Sequence, residues 1–278
     1  MKWQGRRKSG NIEDRRGRAG GGAAIGGVGL LAVLAIGYFL GIDVTPLLQE
    51  AGGQTGAPGE ITAAERKQGD FVAVVLADTE EVWSGIFDRE VGGPYNPTTL
   101  VLYSGGAQSP CGLASGATGP FYCPGDKKVY LDTGFFTTLS ERLGAGGDFA
   151  AAYVVAHEVG HHVQDELGIL SRANEARQAG SEAESNAISV RVELQADCYA
   201  GIFAAMEQAA GYLQGGDIAE AMNAAEKIGD DTLQKAAGRA PMPDSFTHGS
   251  SEQRQRWFAR GFDNPTLAAC DTFGAGEL

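Results

Sequence analysis

The chain has 278 residues, a formal net charge of −13, 43% apolar and 21% charged residues. It is long enough for one sizeable core, too apolar to be disordered throughout, and lacks the composition of collagen or a coiled coil. The 42 glycines are roughly twice the usual ~7% share and follow no three-residue period, so they mark loops and linkers. An acidic body without a basic stripe speaks against nucleic acid as the main partner, because phosphate binding needs clustered Lys and Arg.

Residues 1–22 gather Lys2, Arg6, Arg7, Lys8, Arg15, Arg16 and Arg18 against only Glu13 and Asp14. From Ala23 to Ile42 the chain carries no charge, over the length of about 20 residues that a helix needs to cross a bilayer. Asp43 and Glu50 follow, so the positive-inside rule predicts a cytoplasmic tail at 1–22, a single transmembrane helix at 23–42 and a body outside the cytoplasm. A cleaved signal peptide fits less well: the apolar run is too long and no small-x-small cleavage site precedes Asp43. Gly37 and Gly41 form a small-xxx-small pair, weak grounds for anchor pairing, and the oligomeric state is not legible. Residues 43–60 are rich in Gly, Pro and polar side chains and read as a flexible linker, leaving 61–278 as one domain.

Within that domain Val72, Val75, Leu76, Thr79, Val82, Trp83 and Ile86 recur at helical spacing, predicting an amphipathic helix between Ile61 and Phe87. Thr98–Ser104 and Lys128–Asp132 are short and β-rich, with glycine-rich turns between them, and predict a small antiparallel sheet with an exposed edge. Cys111 and Cys123 lie near each other in sequence, while Cys198 and Cys270 are isolated. Pairing 111–123 and 198–270 is the simplest of three possible connectivities and suits an oxidising compartment. No Cys-x-x-Cys spacing points to a cysteine metal site.

The segment Phe149–Gly168 has helical periodicity, with Asp148 placed to cap it, and contains His157-Glu158-Val159-Gly160-His161. An i, i+4 pair puts two imidazoles one turn apart on one helix face, the separation needed to grip one tetrahedral zinc ion. Glu158 then stands beside the metal, where a general base for water belongs. Isolated five-residue matches arise by chance. The third ligand decides the matter. On a second helical stretch, Ser185–Gln208, Glu193 and Asp197 again share a face. Glu193 completes a His-His-Glu set for one zinc per chain, and Asp197 accepts the free imidazole N–H of a ligand. A solvated acidic face is the bland alternative, but Ala196, Cys198, Tyr199, Ile202 and Phe203 crowd around the pair.

Farther on, Ser250 and Gln253 form a capping box, so His248 precedes a helix in a loop able to overhang the metal. His248 is a candidate to stabilise an oxyanion, with Arg254 in support. His162, next to a ligand but facing elsewhere, is read as structural.

The segments HEVGHHVQ at 157–164, ELQADCYAG at 193–201, THGSSEQR at 247–254 and GPFYCPGDKKVYLDTGFF at 119–136 together resemble the "putative neutral zinc metallopeptidase" family of membrane-anchored bacterial proteins, over roughly residues 61–274. More distantly the pattern is similar to gluzincins such as thermolysin, although related peptidases carry His-Pro where this chain has His248-Gly249. The resemblance implies zinc on His157, His161 and Glu193, Glu158 as base and His248 assisting. The expected architecture is α+β: a gluzincin-like helical bundle with a small antiparallel sheet behind one transmembrane helix. The expected activity is hydrolysis of peptide bonds in a peptide or protein substrate outside the cytoplasm. Two rival readings are a catalytically inactive zinc module that binds a partner, and a zinc amide hydrolase acting on cell-wall material.

Overall fold

A computed structural model of the chain describes residues 1–17, 61–115 and 119–278. The first long helix, α1 (Ala63–Ile86), starts at a capping box in which Thr62 accepts from the Glu65 N–H and Glu65 reaches back to the Thr62 N–H. The expected face of α1 is buried at Val72, Val75, Leu76, Trp83 and Ile86. Ala73, Val74, Ala77 and Asp78 on its other face are buried as well, because residues 1–17 lie across it.

That covering segment corrects the expectation of a basic tail apart from the body. Strand β1 (Ile12–Asp14) pairs in parallel with β2 (Thr99–Tyr103), Ile12 opposite Leu100 and Asp14 opposite Leu102. The basic side chains that suggested a tail are held by the acidic body: Arg6 by Asp78 at 2.6 Å and Glu207 at 3.2 Å, Arg7 by Glu80 at 3.0 Å, Lys8 by Asp70 at 2.6 Å. The expected membrane span at 23–42 and linker at 43–60 lie outside the described residues. Among the described residues no helix is long and apolar enough to cross a membrane.

The sheet also differs from expectation. It runs β1-β2-β6-β5, where β5 is Phe121–Cys123 and β6 is Lys128–Asp132. The β1–β2 and β2–β6 pairs are parallel, and only β5–β6 is antiparallel. A separate antiparallel ribbon, β3 (Gly106–Ser109) with β4 (Gly112–Ser115), leaves the main sheet after β2. The chain then returns through β5, whose tight turn into β6 reverses direction and sets β6 parallel to β2. The disulfide Cys111–Cys123 ties this ribbon to β5.

Helices form the rest: α2 (Asp148–Glu166), α3 (Ile169–Ala179), α4 (Glu182–Ala209), α5 (Asp217–Lys227), α6 (Asp230–Ala236) and α7 (Ser251–Asp263). The α+β class holds. Asp148 does not cap α2; it is the first residue of the helix, Gly147 precedes it, and its carboxylate takes the Met1 amino group at 2.6 Å. The capping box at Ser250 and Gln253 does form and starts α7. Helices α4 and α7 cross closely enough that a Cβ on Gly201 or Gly261 would collide with backbone of the other helix. The second disulfide, Cys198–Cys270, fastens the segment after α7 to α4.

Candidate metal centre and active site

The seam between α2 and α4 brings the expected donors together. Gly160, between the two motif histidines, faces Ala196, whose carbonyl oxygen would be 3.2 Å from an added Cβ. This close approach lets Glu193 on α4 reach both rings on α2. Its carboxylate lies 3.1 Å from His157 Nε2 and 3.5 Å from His161 Nε2, and the donor atoms of the three residues fall within 4.8 Å of one another. The two rings stand nearly perpendicular, with centroids 4.8 Å apart.

Both Nδ1 atoms are occupied on the far side. His157 Nδ1 donates to Asp197 at 2.9 Å, and His161 Nδ1 donates to Gln164 Oε1 at 2.8 Å. Those bonds fix the tautomers so that both Nε2 lone pairs face the Glu193 carboxylate. Three acceptors aimed at one point require a positive charge there. The titration tendencies express the same demand. Burial works against a charged His157, yet Asp197 and Glu193 push it up to about 10; Glu193 raises His161 in the same way, against burial. Glu193 is itself held well below the usual carboxylate range by the two rings, despite the cost of burial. A zinc ion fits this donor set: two neutral imidazoles and one carboxylate, with a coordination position left open.

Behind His157, Asp197 is fully buried and fully bonded. Its Oδ1 accepts from His157, from the Tyr153 hydroxyl at 2.5 Å and from Arg254 Nη2 at 2.9 Å, and its Oδ2 accepts from Arg254 Nε at 2.9 Å. Arg254 is thus a buried counter-ion to Asp197. It does not reach into the cleft to meet an oxyanion. Gln164, behind His161, donates to the Val192 carbonyl and to Gln195, which donates to the Cys270 carbonyl beside the second disulfide. Tyr153 and Gln164 were not singled out from the sequence. Each had a signal, at i−4 from His157 and i+3 from His161, on the faces those rings present.

Glu158 is buried beside the donors. Burial pushes its carboxyl up, and the rings of His161 and His157 temper the rise. A carboxyl so raised takes up a proton readily. His162 faces away from the donors, as expected, and is tied to β5 and to the loop before β2: Nε2 donates to the Asn96 carbonyl at 2.6 Å, and Nδ1 meets the Tyr122 hydroxyl at 3.1 Å.

A family model described as "putative neutral zinc metallopeptidase" matches residues 1–273. The chain belongs to this family. Among curated relatives, the uncharacterised protein YpfJ of Escherichia coli K12 is 45% identical over 99% of both chains. An uncharacterised protein of Mycobacterium tuberculosis H37Rv, Rv2575, is 43% identical over 66% of this chain and 65% of its own length. No solved structure matches. The family match begins at residue 1, in agreement with the place of residues 1–17 in the folded body.

In this family member His248 lies just before α7, half exposed and near enough to Glu193 to feel its charge. Its Nδ1 lies 3.1 Å from Asp230 Oδ1, while Asp230 Oδ2 accepts from the main-chain N–H groups of Thr247, His248 and Gly249. Asp230 therefore shapes the loop and orients the ring. It was missed in the sequence because nothing local connects the start of α6 with a loop many residues later. Burial works against a charged His248, and Asp230 and Glu193 together raise its pKa. Gly249 has φ +92°, a conformation closed to proline. The His-Gly pair thus shapes its backbone differently from His-Pro.

A second grouping, Asp148, Asp217 and Glu220, also brings carboxylates together. Here the Met1 amino group bridges Asp148 and Asp217, and Glu220 accepts from the Phe149 N–H.

Proposed function

We propose that this protein is a zinc-dependent peptidase in which Glu158 is the general base and His248 assists at the oxyanion. The observation that carries the reading is the convergence of His157 Nε2, His161 Nε2 and Glu193, with both Nδ1 atoms tied behind them and Glu158 alongside. Zinc on these donors supplies a Lewis acid that polarises a scissile carbonyl and acidifies a water molecule. Glu158 takes a proton from the attacking water and returns it to the leaving amine, a double role suited to a carboxyl raised by burial. Asp197 and Gln164 hold the imidazoles in register through both steps. His248, whose pKa Asp230 raises against the cost of burial, donates to the oxygen on which negative charge develops.

Strand β5 is the outer strand of the sheet on the α2 side. An extended peptide can add to its open edge by main-chain hydrogen bonds and lie along the α2 seam. This favours peptide over compact non-peptide amides. We expect the full-length protein loaded with zinc to cleave members of a peptide library, to stop on chelation and to recover on zinc addition. If muropeptides are cleaved and peptides are not, the site is a cell-wall amide hydrolase. If zinc binds and neither substrate class is cleaved, the site holds metal for a binding role.

A further inference from the structure

The sequence pattern places the amino-terminal residues and the body on opposite sides of a membrane, whereas the fold needs them together. Strand β1 is hydrogen-bonded to β2, with the Arg15 N–H on the Leu102 carbonyl and the Leu100 N–H on the Asn11 carbonyl, each at 2.8 Å. The Ser9 N–H reaches the Ala73 carbonyl at 2.8 Å, and Trp3 packs edge-on against Phe71 with centroids 5.5 Å apart. Arg6 is anchored between Asp78 and Glu207 and lies over the Tyr212 ring. Removing this segment would uncover one face of α1 and leave buried carboxylates without their cation.

The exit and return points matter as much. Arg16 is almost fully buried; its Nη1 donates to the Glu65 carbonyl at 2.5 Å, in the first turn of α1, and its guanidinium occupies the space a side chain on Gly69 would need. Gly17 and Ile61, the described residues on either side of 18–60, therefore lie close to the same corner. A single crossing of ~30 Å of hydrocarbon by Ala23–Ile42 would separate these two points by the thickness of the bilayer. Of the cations that suggested an inward-facing tail, Arg6, Arg7 and Lys8 are paired with carboxylates of the body, and Arg15 and Arg16 with Glu13 and Asp14 of their own segment. Both disulfides belong to an oxidising compartment.

We propose that residues 1–17 form an integral strand of the body and stand with it on the same, oxidising face of the membrane. Whatever contact the apolar stretch 23–42 makes with lipid is then made from that face. This holds whether or not the protein is a peptidase.

The test uses the full chain in bacterial membranes, with Lys8→Cys reporting on the segment and Lys235→Cys on the body. Both side chains are more than half exposed, and the four native cysteines are in disulfides. A membrane-impermeant maleimide applied to intact spheroplasts is expected to label both sites to the same extent. Labelling of Lys235→Cys with Lys8→Cys protected until permeabilisation overturns the proposal, and protection of both overturns the oxidising face. The double variant Lys8→Cys, Asp70→Cys is expected to give an intramolecularly linked monomer, through a disulfide formed on the oxidising face or, where the thiols stay free, through a short bis-maleimide. A cross-linked dimer or no cross-link refutes packing of the segment on its own body.

Discussion

Two histidines are each held at Nδ1 by an aspartate, and their surroundings could hardly differ more. His157 and Asp197 are buried with Arg254 and Tyr153 in a network in which every carboxylate position is filled. In the pair of His248 and Asp230 the imidazole is half exposed and the carboxylate bonded mostly to main-chain N–H groups. The sealed pair would present a fixed lone pair to a metal, which calls for a ring with no freedom to turn. The open pair raises the pKa of a half-exposed ring, which suits a proposed proton donor to substrate. The carboxylates around them raise the pKa of both rings, so the difference between the two pairs lies in burial and in what each ring can reach.

The sharpest way to break the contrast is Asp197→Ala. It leaves the Arg254 guanidinium buried without its partner, and a loss of about 3–5 kcal/mol is expected in denaturant unfolding, together with loss of zinc. Gln164→Ala frees the His161 ring and takes the donor from Gln195 Oε1, so zinc affinity measured by chelator competition should fall by roughly 10–100-fold with the fold retained. Asp230→Asn should spare zinc content and lower kcat/KM by about tenfold, the order expected for weakening one positioned proton donor. The same variant should move the alkaline limb of the pH–activity profile. Because Asp230 raises the His248 pKa, the charged ring persists above its ordinary value of ~6.5. The stabilisation from this pairing is full below ~6.5 and is lost as pH rises through the raised value. In Asp230→Asn the limb should shift towards lower pH. The smallest effect is expected from Ser250→Ala, about 1 kcal/mol of lost helix capping at α7 in thermal unfolding.

The sealed half of the site was legible because its residues repeat on helices. His157, His161, Glu193 and Asp197 obey i, i+4 spacing, and two helices in contact suffice to bring them together. Cys111–Cys123 and Cys198–Cys270 pair as the simplest connectivity predicts. The role of Asp230 was not legible, since it depends on a loop folding back onto the start of α6. Arg254 was singled out, but as support for an oxyanion rather than as the counter-ion of Asp197, because sequence does not show which way a side chain on α7 points. The sheet was misjudged for a related reason. Short β-rich runs joined by glycine-rich turns suggest antiparallel neighbours, and nothing local reveals that β6 passes back beside β2 in parallel. Residues 1–17 were the largest miss. Their charge was read as the mark of a cytoplasmic tail, whereas Arg6 and Arg7 are matched by Asp78, Glu80 and Glu207 across the fold.

The most direct test of the central claim compares the full-length protein with Glu158→Gln, measuring zinc content and peptide hydrolysis on the same samples. One zinc per chain in both, with cleavage by the parent and a fall of roughly 10²–10⁴-fold in the variant, is the predicted result. Undiminished cleavage by Glu158→Gln at equal zinc content would contradict the account.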